Sequence, residues 1–205
     1  RDQPRSRGLG DVYKRQEFNR RSFLKYSAAA AVAVAGSSLL TGCGEDEYQK
    51  TGKIGSTLKL MGTFKMYDGA DAPTYIVTTP ATATTPATGT FKCKLKLKCT
   101  TDKVPLAVTA DKFLLTVNPG KNEDNYYGNT YVTVEREDPK FTVDDGERDF
   151  TITVKNVKLA NDNKVEFIYF PRIQASSGNS GYTRAFCTWK MTAKVNSNTG
   201  KVTFE

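Results

Sequence analysis

The sequence predicts an all-β protein built as an antiparallel sandwich and preceded by an apolar leader. Three observations favour this class. From residue 57 onward, short segments alternate apolar and polar side chains with the period of two that half-buried strands show. Groups of Gly, Pro, Asn and Asp separate these segments as turns do. No long segment has the 3.6-residue period of a helix, so a helical layer is not expected.

The chain begins with a basic segment that has no apolar period and no methionine, residues 1–16. Within it, the run DVYKRQ at residues 11–16 resembles the translation of a sequencing-library adapter. We therefore expect residues 1–16 to be a sequencing artefact, the alternative being a natural basic leader. In either case the segment is set aside in predicting the fold.

Residues 17–42 have the order of a signal peptide: a basic head, an apolar middle and small residues at the end. The uncharged middle, residues 26–40, is fifteen residues long, shorter than the ~20 that span a bilayer. The run RRSFLK resembles the twin-arginine export signal of bacteria, with Asn19 where Ser or Thr is usual. The matching positions are Arg20, Arg21, Phe23, Leu24 and Lys25.

The leader ends in Leu40, Thr41, Gly42 and Cys43, which resemble a lipoprotein box. The resemblance implies that the Cys43 thiol receives diacylglycerol and that the mature chain starts there. It also implies an exported protein that is attached through lipidated Cys43 to the cell membrane or outer membrane, because two or more acyl chains anchor stably. Residues 43–56 are polar and are predicted to be the lipid anchor and its tether, with the domain covering residues 57–205.

The net charge of +8 belongs mostly to the leader. Residues 1–43 contain eight of the 30 Lys and Arg residues and three of the 22 Asp and Glu residues, which leaves +3 for the rest. A charge that small gives no reason to expect a nucleic-acid partner.

The clearest predicted strand is FKCKLKLKC at residues 91–99. Its odd positions are apolar and its even positions, Lys92, Lys94, Lys96 and Lys98, form a lysine stripe. The stripe admits two interpretations. In the first, the lysines bind an acidic polymer or lipid headgroups. In the second, which we favour, they protect an exposed edge strand from pairing with other chains.

The strand succession over residues 91–170 is similar to uncharacterised immunoglobulin-like domains of bacterial lipoproteins. The similarity is carried by the amphipathic strand at 91–99, FLLTV at 113–117, DGE leading into FTITV at 145–154, and FIYF at 167–170. It implies an immunoglobulin-like β-sandwich and no particular activity.

The cysteine and histidine contents limit the chemistry. On one strand Cys93 and Cys99 are ~20 Å apart, too far for a disulfide. Either of them pairs with Cys187, or all three are buried free thiols. The chain has no histidine, which removes histidine-based catalysis and most transition-metal sites. We expect no metal and no cofactor.

The favoured function is a non-catalytic sandwich that binds a protein or cell-envelope partner. One alternative is a carbohydrate- or ligand-binding accessory domain that uses an exposed aromatic surface of Tyr126, Tyr127 and Tyr182. The other is a carboxylate-based hydrolase, which needs two carboxylates converging within ~5 to 9.5 Å. Its candidate residues lie in predicted loops: Asp68, Asp71, Glu123, Asp124, Asp144, Asp145 and Glu147.

Overall fold

The computed structural model describes residues 49–102, 105–120, 125–171, 185–196 and 199–205. Strands dominate these residues, and the helical elements are single 3-10 turns at Gly69–Asp71, Ala110–Lys112, Asn129–Tyr131 and Val143–Asp145. The strands are β1 Gln49–Lys53, β2 Thr57–Lys59, β3 Gly62–Met66, β4 Thr74–Thr79, β5 Ala87–Cys99, β6 Leu106–Val108, β7 Phe113–Val117, β8 Tyr126–Gly128, β9 Val132–Val134, β10 Asp138–Phe141, β11 Glu147–Leu159, β12 Lys164–Tyr169, β13 Phe186–Val195 and β14 Val202–Phe204.

One layer of the fold is the row β1-β13-β12-β7-β8. Its central strands pair antiparallel, with Phe167 of β12 opposite Trp189 of β13 and Leu115 of β7. Only β1 runs parallel to its neighbour, with Gln49 opposite Phe186. Phe167, Trp189 and Leu115 are fully buried, so this layer turns one apolar face inward.

The other layer is built around β5. Strand β11 pairs with one side of β5 along most of its length, and β3 and β4 share the other side. Strand β9 extends this layer beyond β11, and β14 connects β4 to the C-terminal end of β13. The two layers are therefore joined along one side, while the short pair β6-β10 stands apart as a separate two-stranded sheet.

The core lies between these two layers and is rich in aromatic rings. Phe91 of β5 lies 5.8 Å, between ring centroids, from Phe167 of β12. Phe64 of β3 meets Tyr169 of β12 edge-on at 5.3 Å. Such edge-on and tilted arrangements are the favourable ones for aromatic pairs. Because these contacts join one layer to the other, the two inner faces share a single core.

The prediction of an all-β, antiparallel sandwich is confirmed. The immunoglobulin-like character implied by the resemblance stays a prediction. Among the described residues, Gln49–Lys53 belong to the sheet as β1, ahead of the predicted domain start at residue 57, because they pair with β13. Residues 57–66 form the hairpin β2-β3. No helix among the described residues has the length and apolar character needed to cross a membrane.

Candidate functional site

The lysine stripe lies in the middle of a sheet. Strand β5 is paired on both sides, so Lys92, Lys94, Lys96 and Lys98 project from the outer face of a central strand. The interpretation that they guard an exposed edge is therefore wrong, because β5 has no free edge along these residues. What the stripe contributes is charge on the outer face of the β5 layer.

Two of the four lysines are paired with carboxylates from neighbouring segments. The Lys94 ammonium lies 3.5 Å from Asp149 of β11 and 4.0 Å from Asp71. The Lys96 ammonium lies 3.0 Å from Glu147, which raises the pKa of Lys96 through this bond. For Lys92 and Lys98, which are exposed, no carboxylate partner is present among the described residues. Exposed pairs of this kind contribute little to stability, because solvent screens them.

Tyr67 organises this charged face. Its hydroxyl donates a hydrogen bond of 2.7 Å to Asp149. The ammonium groups of Lys94 and Lys96 lie 4.8 and 5.7 Å from its ring centroid, within the range of cation–π attraction. Partial burial and then the bond to Asp149 raise the pKa of Tyr67, so its phenol stays protonated and remains a donor. We call Tyr67, Lys94, Lys96, Asp149 and Glu147 the Tyr67 cluster.

One shallow cleft opens beside this cluster and a second lies between residues of β1 and β2, and both are lined mainly by polar residues. One of about 230 Å³ is lined by Thr57, Thr63, Lys65, Lys96 and Glu147. The other, of about 450 Å³, is lined by Lys50, Thr51, Thr57, Leu58 and Lys59. Small-molecule sites are mostly apolar clefts of ~300 to 1,000 Å³ that bury most of the ligand. The composition of these clefts suits contact with a polar surface.

Of the described carboxylates proposed for a hydrolase, Asp68, Asp71 and Glu147 pair with lysines and Asp145 holds a turn, while Asp144 is exposed. Asp145 accepts hydrogen bonds from the backbone N–H and hydroxyl of Thr142, at 2.7 and 2.9 Å, and from Arg148 at 2.6 Å. These contacts lower the pKa of Asp145, the Thr142 backbone bond most of all. Asp68 lies 3.9 Å from Lys65. Glu123 and Asp124 lie outside the described residues.

The predicted aromatic surface is divided between the core and the exterior. Tyr127 is buried, and its hydroxyl accepts a hydrogen bond from the backbone N–H of Lys158. It therefore does not belong to an exposed surface. Tyr126 is half-exposed and packs against the small apolar cluster of Leu114, Ile168 and Phe186. Tyr182, the third predicted member, lies outside the described residues.

The three cysteines of the domain are free and buried. Burial raises the pKa of Cys187 to about 12 and the pKa of Cys93 well above its usual value. Since thiolates are the reactive form, both thiols are held inert. Among the described residues there is also no group of three or more Cys, Asp or Glu side chains placed to hold a metal ion.

The leader lies outside the described residues, so its function is known from sequence alone. Residues 17–37 match the family model of the TAT (twin-arginine translocation) pathway signal sequence. The chain carries an export signal. The prediction made from Arg20, Arg21, Phe23, Leu24 and Lys25 is confirmed, and the protein is directed out of the cytoplasm. Leu40, Thr41, Gly42 and Cys43 follow the matched residues, and the match does not reach them.

No curated protein matches the chain, and no solved structure does. The matched family therefore concerns the leader and not the domain.

The sequence did not single out Tyr67 as part of a site. Its partner Asp149 is 82 residues away, and the two meet only because β11 and β3 flank β5. The alternation of charged residues in β5 and β11 could have predicted this charged face from the sequence. Glu147 and Asp149 share one parity of their segment, as the lysines share one parity of theirs, so antiparallel pairing of the two strands opposes their charges.

Proposed function

We propose that this protein is an extracytoplasmic lipoprotein, held to the membrane by diacylglycerol on Cys43, whose sandwich binds a protein or envelope partner without catalysing a reaction. The observation that carries the proposal is the order of the leader. A matched twin-arginine signal at residues 17–37 is followed, after two further residues, by an aliphatic residue, two small residues and Cys43. That order supports a lipidation site at the point where an exported chain is cleaved.

The binding surface that we propose is the outer face of the β5 layer. It presents a fixed tyrosine ring, lysine ammonium groups and carboxylates in alternation around the Tyr67 cluster. Charges of both signs at fixed positions give a surface specificity for a complementary charged partner and speed its encounter. Lys92 and Lys98, without carboxylate partners among the described residues, supply the attraction for acidic groups.

Intact mass of the protein expressed with an initiating methionine in a bacterial host tests the anchor. We expect a mature species that starts at Cys43 and carries the mass of diacylglycerol. Cys43→Ala should lack that mass and leave the membrane fraction on washing. The matched control Ser38→Ala, upstream of the lipoprotein box, should be processed normally. An unmodified chain that keeps Arg20 and Arg21 would contradict the proposal.

The proposed surface is tested by crosslinking in intact cells with Lys92→Glu/Lys98→Glu. Reversing these two charges should weaken crosslinking to envelope components, because they have no carboxylate partner among the described residues. The control Lys140→Glu/Lys201→Glu reverses the same number of charges at two exposed lysines outside β5, one in β10 and one just before β14. Equal loss in both variants would indicate an effect of net charge and would contradict a specific surface on the β5 layer.

A further inference from the structure

We propose that the end of the domain at which β1 begins faces the lipid bilayer, and that the opposite end faces away. The inference rests on the proposed lipidation of Cys43. Only residues 44–48 separate Cys43 from Gln49, the first residue of β1. The tether is therefore much shorter than the polar segment to residue 56 that the sequence suggests.

The length of this tether sets how far β1 can stand from its anchor. Six Cα-to-Cα steps at 3.3 to 3.6 Å each span at most about 22 Å. Strand β5, with 13 residues, is about 43 Å long at the usual rise per residue. The extended tether is thus about half as long as β5, the strand taken here as the length of the domain. One end of the sandwich is restrained beside the membrane, and the far end is not.

Strand pairing identifies the elements at the restrained end. Lys50 of β1 lies opposite Cys187, and Cys187 lies opposite Tyr169 of β12. The Tyr169 ring contacts Phe64, which is paired with Leu97 near the C-terminal end of β5. The beginning of β1 and the C-terminal end of β5 therefore lie at the same end of the domain.

The other end contains the start of β5. Phe91 contacts Phe204 of β14, which is paired with Ala193 near the end of β13. Ala87, at the start of β5, lies opposite Leu159 at the end of β11. These positions lie toward the ends of β5, β11 and β13 that are away from the residues bordering Gln49.

The two exposed large apolar side chains of the described residues fall on opposite sides of this division. Val143 is 38 % exposed in the turn before Glu147, and Glu147 lies opposite Lys98 at the restrained end. Ile76 is 64 % exposed and lies opposite Thr90, toward the other end. Thr90 and Lys98 are separated by about 26 Å along β5.

The surroundings of Val143 define the kind of contact. Asp144, Asp145 and Glu147 follow it closely, and carboxylates are costly to move into hydrocarbon. We therefore expect this end to meet the bilayer at the level of the headgroups without insertion. A quencher attached to lipid headgroups is the suitable probe.

The experiment uses the acylated full chain in vesicles of phosphatidylcholine and phosphatidylglycerol that contain a headgroup nitroxide lipid. Val143→Cys and Ile76→Cys form a matched pair of exposed aliphatic residues for labelling with a fluorescent maleimide. The domain's native thiols, Cys93, Cys99 and Cys187, are buried and stay unlabelled in the folded state. The Cys43 thiol is blocked by its thioether bond to diacylglycerol.

We expect quenching at residue 143 to exceed quenching at residue 76 by at least about threefold, given a separation comparable with the tether length. Inserting a 20-residue Gly/Ser linker after Glu47 should remove most of that difference while acylation persists. Equal quenching at the two sites in the acylated protein, or stronger quenching at residue 76, would overturn the orientation. Absence of the acyl mass and of vesicle binding would instead overturn the proposed anchor, so the two failures are distinguishable.

Discussion

Asp145 fixes the turn that leads into β11. It accepts hydrogen bonds from the backbone and side chain of Thr142 and pairs with Arg148, which also reaches Asp138 at 3.3 Å. All of these donors favour the ionised carboxylate, which is why its pKa is lowered in the folded protein. One residue thus connects a 3-10 turn to a strand and to β10.

This arrangement predicts a pH-dependent contribution to stability. The folded pKa of Asp145 is below its unfolded value of 3.8, so the contribution is complete above that value and is lost as pH falls through the folded pKa. At pH 7, Asp145→Ala should lower Tm by a few degrees, and at pH 3 the difference from the unmodified protein should shrink.

The control for this prediction is the neighbouring Asp144→Ala, which removes an exposed carboxylate from the same turn. Thermal unfolding followed by circular dichroism at both pH values measures the two variants. Equal destabilisation by both substitutions, or a difference that does not change with pH, would contradict the role assigned to Asp145.

At the scale of elements, the close approach of β3 to β5 depends on a glycine. A Cβ atom at Gly62 would lie 2.4 Å from the backbone carbonyl oxygen of Lys98 and 2.9 Å from the Phe64 ring. Backbone atoms of a paired central strand cannot move aside cheaply. Gly128 in β8 is different, since its Cβ would lie 3.4 Å from the side chain of Leu114 and 3.7 Å from the backbone carbonyl oxygen of Phe113, which are ordinary contact distances.

Gly62→Ala should therefore destabilise the domain by ~1 to 3 kcal/mol through overpacking. Gly128→Ala, the matched substitution in another strand, should stay within ~1 kcal/mol. Urea denaturation gives both free energies of unfolding. A Gly62→Ala protein as stable as Gly128→Ala would mean that β3 separates from β5 at little cost.

Strand β5 shows how much of the fold the sequence could predict. Its strict alternation of apolar residues and lysines identifies both the strand and its inward face. The sequence could not show that β5 is central, because the number of neighbours depends on β3, β4 and β11, which are distant in the chain. Strand β1, QKTGK, was missed because it has no apolar alternation, and its pairing with β13 alone makes it a strand.

At the scale of the whole molecule, the leader and the domain carry functional information in different forms. An export signal is read as a continuous run of residues, so Arg20 to Lys25 could be identified from sequence. The charged face is assembled across strands, with Tyr67 and Asp149 82 residues apart. Tyr127 illustrates the same limit. Tyr126 and Tyr127 are adjacent in a strand, so their side chains point to opposite faces of the sheet and one of them faces the core. The sequence alone did not show which of the two is buried.

Export of the whole molecule should depend on the guanidinium groups of Arg20 and Arg21. Lysine keeps the positive charge, but its ammonium group lacks the planar set of N–H donors of a guanidinium. The substitution therefore removes hydrogen-bond geometry that the export machinery can recognise and leaves the net charge unchanged. Arg20→Lys/Arg21→Lys should leave most of the chain in the cytoplasm as a precursor that retains residues 17–42. Immunoblots of cytoplasmic and envelope fractions measure this, with Arg136→Lys, outside the matched residues, as the control. If the double variant reached the envelope as efficiently as the control, a basic head alone would suffice, and the twin-arginine route would not be the one this protein uses.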